Sequence, residues 1–141
     1  MQAAEMKSII TQMQADTCDG KLDAVYRFMA DGFVFHRAPL PSVVGKEANR
    51  KSDEAMLTAF TNSRTTIHEI VVEGDTAAMH YTWQADHTGT SPSLGIPATG
   101  KTITMSGCMI YHWKDGKVIE LLDYTDMLGL MQQLGPVPAA A

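Results

Sequence analysis

Apolar residues recur at helical spacing early in the chain and alternate through most of its C-terminal half. Met6, Ile9, Ile10 and Met13 fall at i, i+3, i+4 and i+7, one stripe with Gln2, Glu5, Lys7 and Gln14 around its rim. This predicts a helix from Ala3 to about Thr17, broken at Asp19-Gly20. Leu22, Val25, Tyr26 and Met29 again share a side, predicting a short second helix from Leu22 to Met29. Phe33-Val34-Phe35-His36 then reads as a short extended run, ended by Pro39 and Pro41, which lack the amide proton a ladder needs. Helical spacing returns between Gly45 and Phe60 through Met56, Leu57 and Phe60, after polar turns containing Lys46, Glu47, Arg50, Lys51 and Glu54.

The remainder is strand-like. Strands are predicted over Thr65 to Val72, Thr76 to about His87, Lys101 to Trp113 and Lys117 to Asp126. Glu73-Gly74-Asp75 and Lys114-Asp115-Gly116 carry the Gly and Asp that tight hairpins favour. A last helix, Met127 to Leu134, stops at Gly135-Pro136, and the tail from Pro136 to Ala141 is expected to fray. Helices followed by hairpins make a single α+β domain over 1–141, with the helices on one face of an antiparallel sheet. A long twisted sheet of this kind curls around its helices and leaves an apolar cavity between the layers, which is the candidate active site.

Composition narrows the function classes. The chain has 141 residues, 45% of them apolar, and a net charge of −5, with no basic cluster to override it. Such a surface repels phosphate backbones, so nucleic acid is not an expected partner. No apolar run reaches the roughly 20 residues of a spanning helix, and the N-terminus lacks a basic-then-apolar leader. No membrane partner and a cytoplasmic location are therefore expected. Cys18 and Cys108 stand far apart without a CxxC, and no His is spaced as a ligand pair, so neither metal nor cofactor is expected and the cysteines are read as plain thiols.

Among residues that can carry chemistry, Asp123 stands out. Alternation puts Ile119, Leu121 and Asp123 on one face of the last strand, with Glu120, Leu122 and Tyr124 on the other. A carboxylate at the end of an apolar row loses hydration, its pKa rises, and it can exchange a proton with a carbon acid near neutral pH. Asp126, directly before the last helix, reads either as a helix cap or as a contact to substrate. On the preceding strand, Ile103, Met105, Met109, Tyr111 and Trp113 share one parity if no bulge occurs at Gly107. Tyr111 is placed to polarise a carbonyl or to be an ordinary core tyrosine.

His36, before Arg37 and the proline turn, is a candidate for the cavity mouth, with Phe35 beside it. His80 shares a face with Ala78 and Thr82, while Met79, Tyr81 and Trp83 take the other, and alternation does not decide which is inward. Both His80 and Trp83 are candidate substrate contacts, as is Met109. His68 and His112 read as sheet-surface residues and Glu120 as solvent or interface. The loop Thr88 to Gly100 is longer than a hairpin needs and reads as a lid or a contact. It has neither phosphate-binding nor nucleophile-elbow spacing.

The ordered set Phe33-Val34-Phe35-His36, His87-Thr88-Gly89, Gly95-Ile96-Pro97-Ala98-Thr99-Gly100-Lys101, Asp115-Gly116-Lys117-Val118 and Asp123-Tyr124-Thr125-Asp126, with Gly129 and Gln133-Leu134-Gly135, resembles the SnoaL-like polyketide cyclases of the NTF2-like superfamily. The resemblance implies a cone-shaped domain whose curved sheet wraps helices around a deep pocket and forms a homodimer through its outer face. In anthracycline cyclases of that kind, an aspartate at the position of Asp123 is general acid and base for an intramolecular aldol closure of a tricyclic aromatic ester, without metal. Met109 and Tyr111, and Phe35 or His36, stand near positions that are polar in those cyclases.

Limonene epoxide hydrolases also resemble the Asp123 to Asp126 end. Their Arg-x-Asp on a central strand is absent, with His80-Tyr81-Thr82 at about that place, so water activation by an Asp, Arg, Asp set is not expected. The resulting expectation is a cofactor-independent cyclase or isomerase acting on a small apolar carbonyl compound, with catalytic Asp123, Tyr111 and His36. The alternatives are a ligand-binding or structural dimeric domain, or an enzyme like the epoxide hydrolases or ketosteroid isomerase.

Overall fold

The computed structural model describes residues 1–135; the tail expected to fray, Pro136 to Ala141, lies outside them. Helices α1 (Ala3–Cys18) and α2 (Leu22–Tyr26) precede the first strands β1 (Met29–His36) and β2 (Val43–Val44), and α3 (Lys46–Ala59) follows them. Four long strands come next: β3 (Phe60–Glu73), β4 (Thr76–His87), β5 (Thr102–Lys114) and β6 (Lys117–Thr125), then α4 (Met127–Leu134). The six strands form one curved, unclosed sheet in the order β2-β1-β6-β5-β4-β3. Every pairing is antiparallel except β1 with β6, which run parallel because the chain crosses from one to the other through the whole intervening domain. Helix α1 packs on β3, α3 on β1 and β3, and α4 on β5.

The α1 stripe buries Met6, Ile10 and Met13 completely against the sheet's inner face. The inward strand positions supply Ala77, Met79, Tyr81, Tyr111, Trp113, Val118 and Leu121 to the same core. A second cluster around Ala59, Phe60, Ile103, Met105 and Leu130 closes the end near α4. Among the described residues no helix is long and apolar enough to cross a membrane.

Several boundaries differ from the sequence reading, each for a local reason. Helix α2 ends at Tyr26, because the Phe28 carbonyl accepts from the Val118 amide at 2.8 Å and Met29 enters the sheet beside β6. Strand β3 begins at Phe60, five residues before Thr65: the polar Thr61 to Arg64 run hides a bulge, with Asn62 at a positive φ of 53° that asparagine tolerates. The two-residue β2 pairs with Val34 and Phe35 and is too short to leave a periodic signal in the sequence.

The last strand carries the most consequential shift. Between Trp113↔Val118 and His112↔Glu120 the register slips, so Ile119 is a bulge residue, 38% exposed, while Val118, Leu121 and Asp123 all face inward. Strict alternation puts Ile119 on the wrong face and Asp123 on the right one.

Candidate active site

The cavity lies between the helices and the inner face of the sheet and has a volume of about 180 Å³. This is below the roughly 300–1,000 Å³ typical of pockets for drug-sized ligands, so its occupant is small. Its walls are mainly apolar: Met13, Phe33, Met105, Met109 and Trp83 among others. A second hollow of about 290 Å³, edged by Leu40, Pro41 and Ser93, shares Phe35, Arg37, Ser52 and Met56 with it.

Behind the wall formed by Arg37 and Tyr81 stands Asp123, 1% exposed. It is not solitary in an apolar row, as alternation alone suggests. Arg37 donates to its Oδ2 from Nη2 at 2.7 Å and from Nε at 3.1 Å, and the Tyr81 hydroxyl donates to Oδ1 at 2.7 Å. Both carboxylate oxygens are thus held in charge-assisted bonds, as a buried charge requires. Arg37 and Tyr81 themselves line the cavity and present this polar centre to it. The Arg37 guanidinium also lies over the Phe35 ring, 5.1 Å from its centroid. Burial, and then the neighbouring Asp123 charge, push the Tyr81 phenol far above its usual range, so it remains a proton donor at any ordinary pH.

Gly107, opposite Tyr81 across the β4–β5 ladder, makes this contact possible. A Cβ there would sit 2.8 Å from the Tyr81 hydroxyl oxygen and 3.0 Å from the Tyr124 carbonyl. No bulge interrupts β5 at this glycine, and the parity of Met105, Met109, Tyr111 and Trp113 is as expected.

Tyr111 is fully buried and lines the cavity. Its oxygen accepts from Gln14 Nε2 at 2.7 Å, and its hydroxyl is directed to Met109 Sδ at 3.4 Å, a weak acceptor. Burial again raises this phenol, which stays protonated. Phe35, Trp83 and Met109 line the cavity as candidate contacts.

Three candidates are not brought there. His36 alternates with the inward Phe35 and Arg37 and so projects on the outer face, where Nδ1 meets Ser42 Oγ at 2.7 Å and Nε2 meets Glu120 at 3.0 Å. His80 lies on the outer face of β4, its ring centroid 4.7 Å from that of His68, because Met79, Tyr81 and Trp83 take the inward parity. Asp126 caps α4, accepting from the Gly129 amide at 2.9 Å, and has no place on the cavity wall. Glu120, on the outer face, is held below the usual carboxylate range by hydrogen bonds from His112 and His36.

The sequence reading missed Arg37, Tyr81 and Asp53. Arg37 continues the inward parity of Phe33 and Phe35, and Tyr81 that of Met79 and Trp83, signals that existed but had no fixed face. Asp53 stands one turn after Asn49 and before Met56 and Leu57, on the α3 stripe that faces the cavity. Its Oδ2 accepts from the Tyr26 hydroxyl. The Arg-x-Asp sought on a central strand is absent, yet Arg37 pairs with Asp123 and lies within electrostatic reach of Asp53, so an acid, guanidinium, acid set is assembled from three different elements. Cys18 and Cys108 are both free and partly buried, and among the described residues no three His, Cys, Asp or Glu side chains converge as metal ligands.

A cone-shaped α+β domain with a polar centre sunk in an apolar cavity defines the class of protein. The chain belongs to the SnoaL-like polyketide cyclase family, which it matches over residues 8–134. Among solved structures it is similar to AclR of Streptomyces galilaeus, a proposed hydroxylase, at 26% identity and a TM-score of 0.84, over 97% of this chain and 100% of that one. A proposed polyketide cyclase from Acidithiobacillus ferrooxidans is 26% identical with a TM-score of 0.79, covering 95% and 97% of the two chains. A proposed SnoaL-like polyketide cyclase from Jannaschia sp. CCS1, at 22% identity, shares the fold over 93% and 92%, with a TM-score of 0.83. A search of curated proteins found no match.

Proposed function

We propose that this protein catalyses proton transfer on a small, largely apolar carbonyl compound, as a cyclase or isomerase of its family that needs no cofactor for the step. The observation that carries the reading is the fully buried Asp123, engaged on both oxygens by two groups, Arg37 and Tyr81, that line the cavity. A C–H beside a carbonyl is a weak acid; holding it against a positioned base contributes through geometry and through proton transfer. In this reading the proton passes from carbon to the Tyr81 oxygen while the Tyr81 hydroxyl gives its own to Asp123. Arg37 offsets the charge that develops on the substrate oxygen, as preorganised donors do, and Tyr111 offers a donor to a second oxygen. Returning the proton to another carbon isomerises the compound; enolate attack on a second carbonyl closes a ring. The likeness to proposed cyclase and hydroxylase structures at 26% identity supports reaction at this cavity.

The test is hydrogen–deuterium exchange next to the carbonyl of 2-tetralone in D2O, monitored by NMR. Asp123→Asn is expected to lower the enzyme-dependent rate by about 10²–10⁴-fold with an unchanged circular dichroism spectrum. A folded Asp123→Asn variant that exchanges the ketone as fast as the parent would remove Asp123 from the reaction.

A further inference from the structure

The cavity wall carries a carboxyl of its own, Asp53, that has no task in the proton transfer through Tyr81 and Asp123. Asp53 faces it from α3, and the Tyr26 hydroxyl reaches its Oδ2 from α2. Loss of hydration raises Asp53 above the usual carboxylate range, against the opposing influence of Tyr26 and of the Arg37 charge. Burial pushes the Tyr26 phenol up as well, so that it stays a donor. The ionisable neighbours are few: Tyr26 from α2, Arg37 beyond β1, and on α3 itself Arg50 and Glu54, of which Arg50 is already paired with Asp23 at 2.6 Å.

Asp123 has the opposite surroundings. It is more deeply buried, yet a guanidinium is bonded to it directly. One carboxyl on the cavity wall without a fixed counter-ion, and one behind it that is bonded to the lining residues Arg37 and Tyr81, is an arrangement by which two like groups take different proton-transfer roles.

We propose that Asp53 is the proton donor of the cavity, a carboxylic acid that Tyr26 orients and that protonates the carbonyl oxygen of the substrate. The proposal rests on the proton-transfer function and deepens it, because it fixes the substrate class as a ketone whose oxygen meets α3 while its acidic C–H meets Tyr81. The step balances. The C–H bond breaks, its proton reaches Asp123 through Tyr81, the Asp53 O–H proton moves to the carbonyl oxygen, and an enol forms. Asp53 is then a carboxylate and Asp123 is protonated. When the enol returns to a ketone, its O–H proton goes back to Asp53. The proton on Asp123 goes to a different carbon in an isomerisation, or to the new alkoxide oxygen in an aldol closure.

Infrared difference titration and the 2-tetralone exchange assay, applied to the parent, Asp53→Asn, Tyr26→Phe and Asp123→Asn, test this. The expected parent spectrum has a protonated carboxyl band that persists above the ordinary carboxylate range, disappears in Asp53→Asn, remains in Asp123→Asn and loses its proton at higher pH in Tyr26→Phe, where the lowering hydrogen bond is gone. Exchange is expected to fall by about 10²-fold or more in Asp53→Asn, with loss of the alkaline limb of the pH profile on which Asp53 gives up its proton. Stability supplies a further reading of sign. A carboxyl raised in the folded chain holds its proton above the ordinary value of about 3.9, so folding stability declines as pH rises through that window. Asp53→Asn should remove this decline. A carboxyl band that survives Asp53→Asn, or exchange that keeps both its rate and its alkaline limb, would overturn the proposal. Exchange that needs Asp123 but ignores Asp53 sinks this proposal alone; exchange indifferent to both sinks the proton-transfer function with it.

Discussion

At position 107 the lack of a side chain decides where Tyr81 can place its hydroxyl. The phenol lies across Gly107 to reach Asp123, and a methyl group there would overlap it by a distance that backbone on the other side, the Tyr124 carbonyl, does not let it escape. Gly107→Ala is expected to cost about 1–3 kcal/mol of stability, in the range of overpacked cores, and to slow ketone exchange as much as Tyr81→Phe. Denaturant unfolding and the exchange rate check the two parts; an alanine variant with parental exchange would show that Tyr81 is not part of the proton path. Asp123 was legible at this scale because it ends an apolar strand at the inward parity. Its partners were not, since Arg37 and Tyr81 are distant in sequence and nothing local states that they meet one carboxylate. Asp53 was hidden by composition: it stands among Arg50, Lys51 and Glu54, and only the stripe through Asn49, Met56 and Leu57 singles it out.

Elements were read most accurately where a turn residue marks their ends. Strand β4 and helix α4 have the predicted bounds, framed by Gly74-Asp75 and by Gly135, whose φ of 97° suits the left-handed cap. At the other end of α4, Asp126 accepts from the Gly129 amide as a helix cap does. Asp126→Ala should therefore cost about 0.5–2 kcal/mol, the usual loss of such a cap, and leave ligand affinity and exchange unaltered. Thermal unfolding beside the exchange assay measures both, and lost exchange in a stable variant would return Asp126 to the site. The loop from Thr88 to Gly100 is tied down more than its composition suggests. Thr88 and Gly89 amides donate to the Ala59 carbonyl, and His87, completely buried and stacked on Phe60, receives the Thr99 amide on Nδ1 at 3.2 Å. Bulges were illegible, because a slipped register depends on the partner strand and not on the strand's own residues.

For the molecule as a whole, the outer face of the sheet is the surface left to explain. It carries His36, His80, His112 and Glu120 together with the exposed Val71 and Tyr124, a mixture of apolar and titratable groups on one continuous face. We expect a homodimer formed through this face, with a dimer mass by solution scattering at micromolar concentration and a monomer mass for Tyr124→Glu. A monomeric parent would contradict it.

The sequence by itself determined the order and type of every element but β2, the α+β class, the family and the candidacy of Asp123, since these derive from periodicity, turn chemistry and an ordered set of short motifs that act over a few residues. Only the tertiary structure decided which face of each strand lines the cavity and which charges neutralise which. Parity is symmetric until a sheet curls around something, and an ion pair between residues 37 and 123 exists only because β1 and β6 lie side by side.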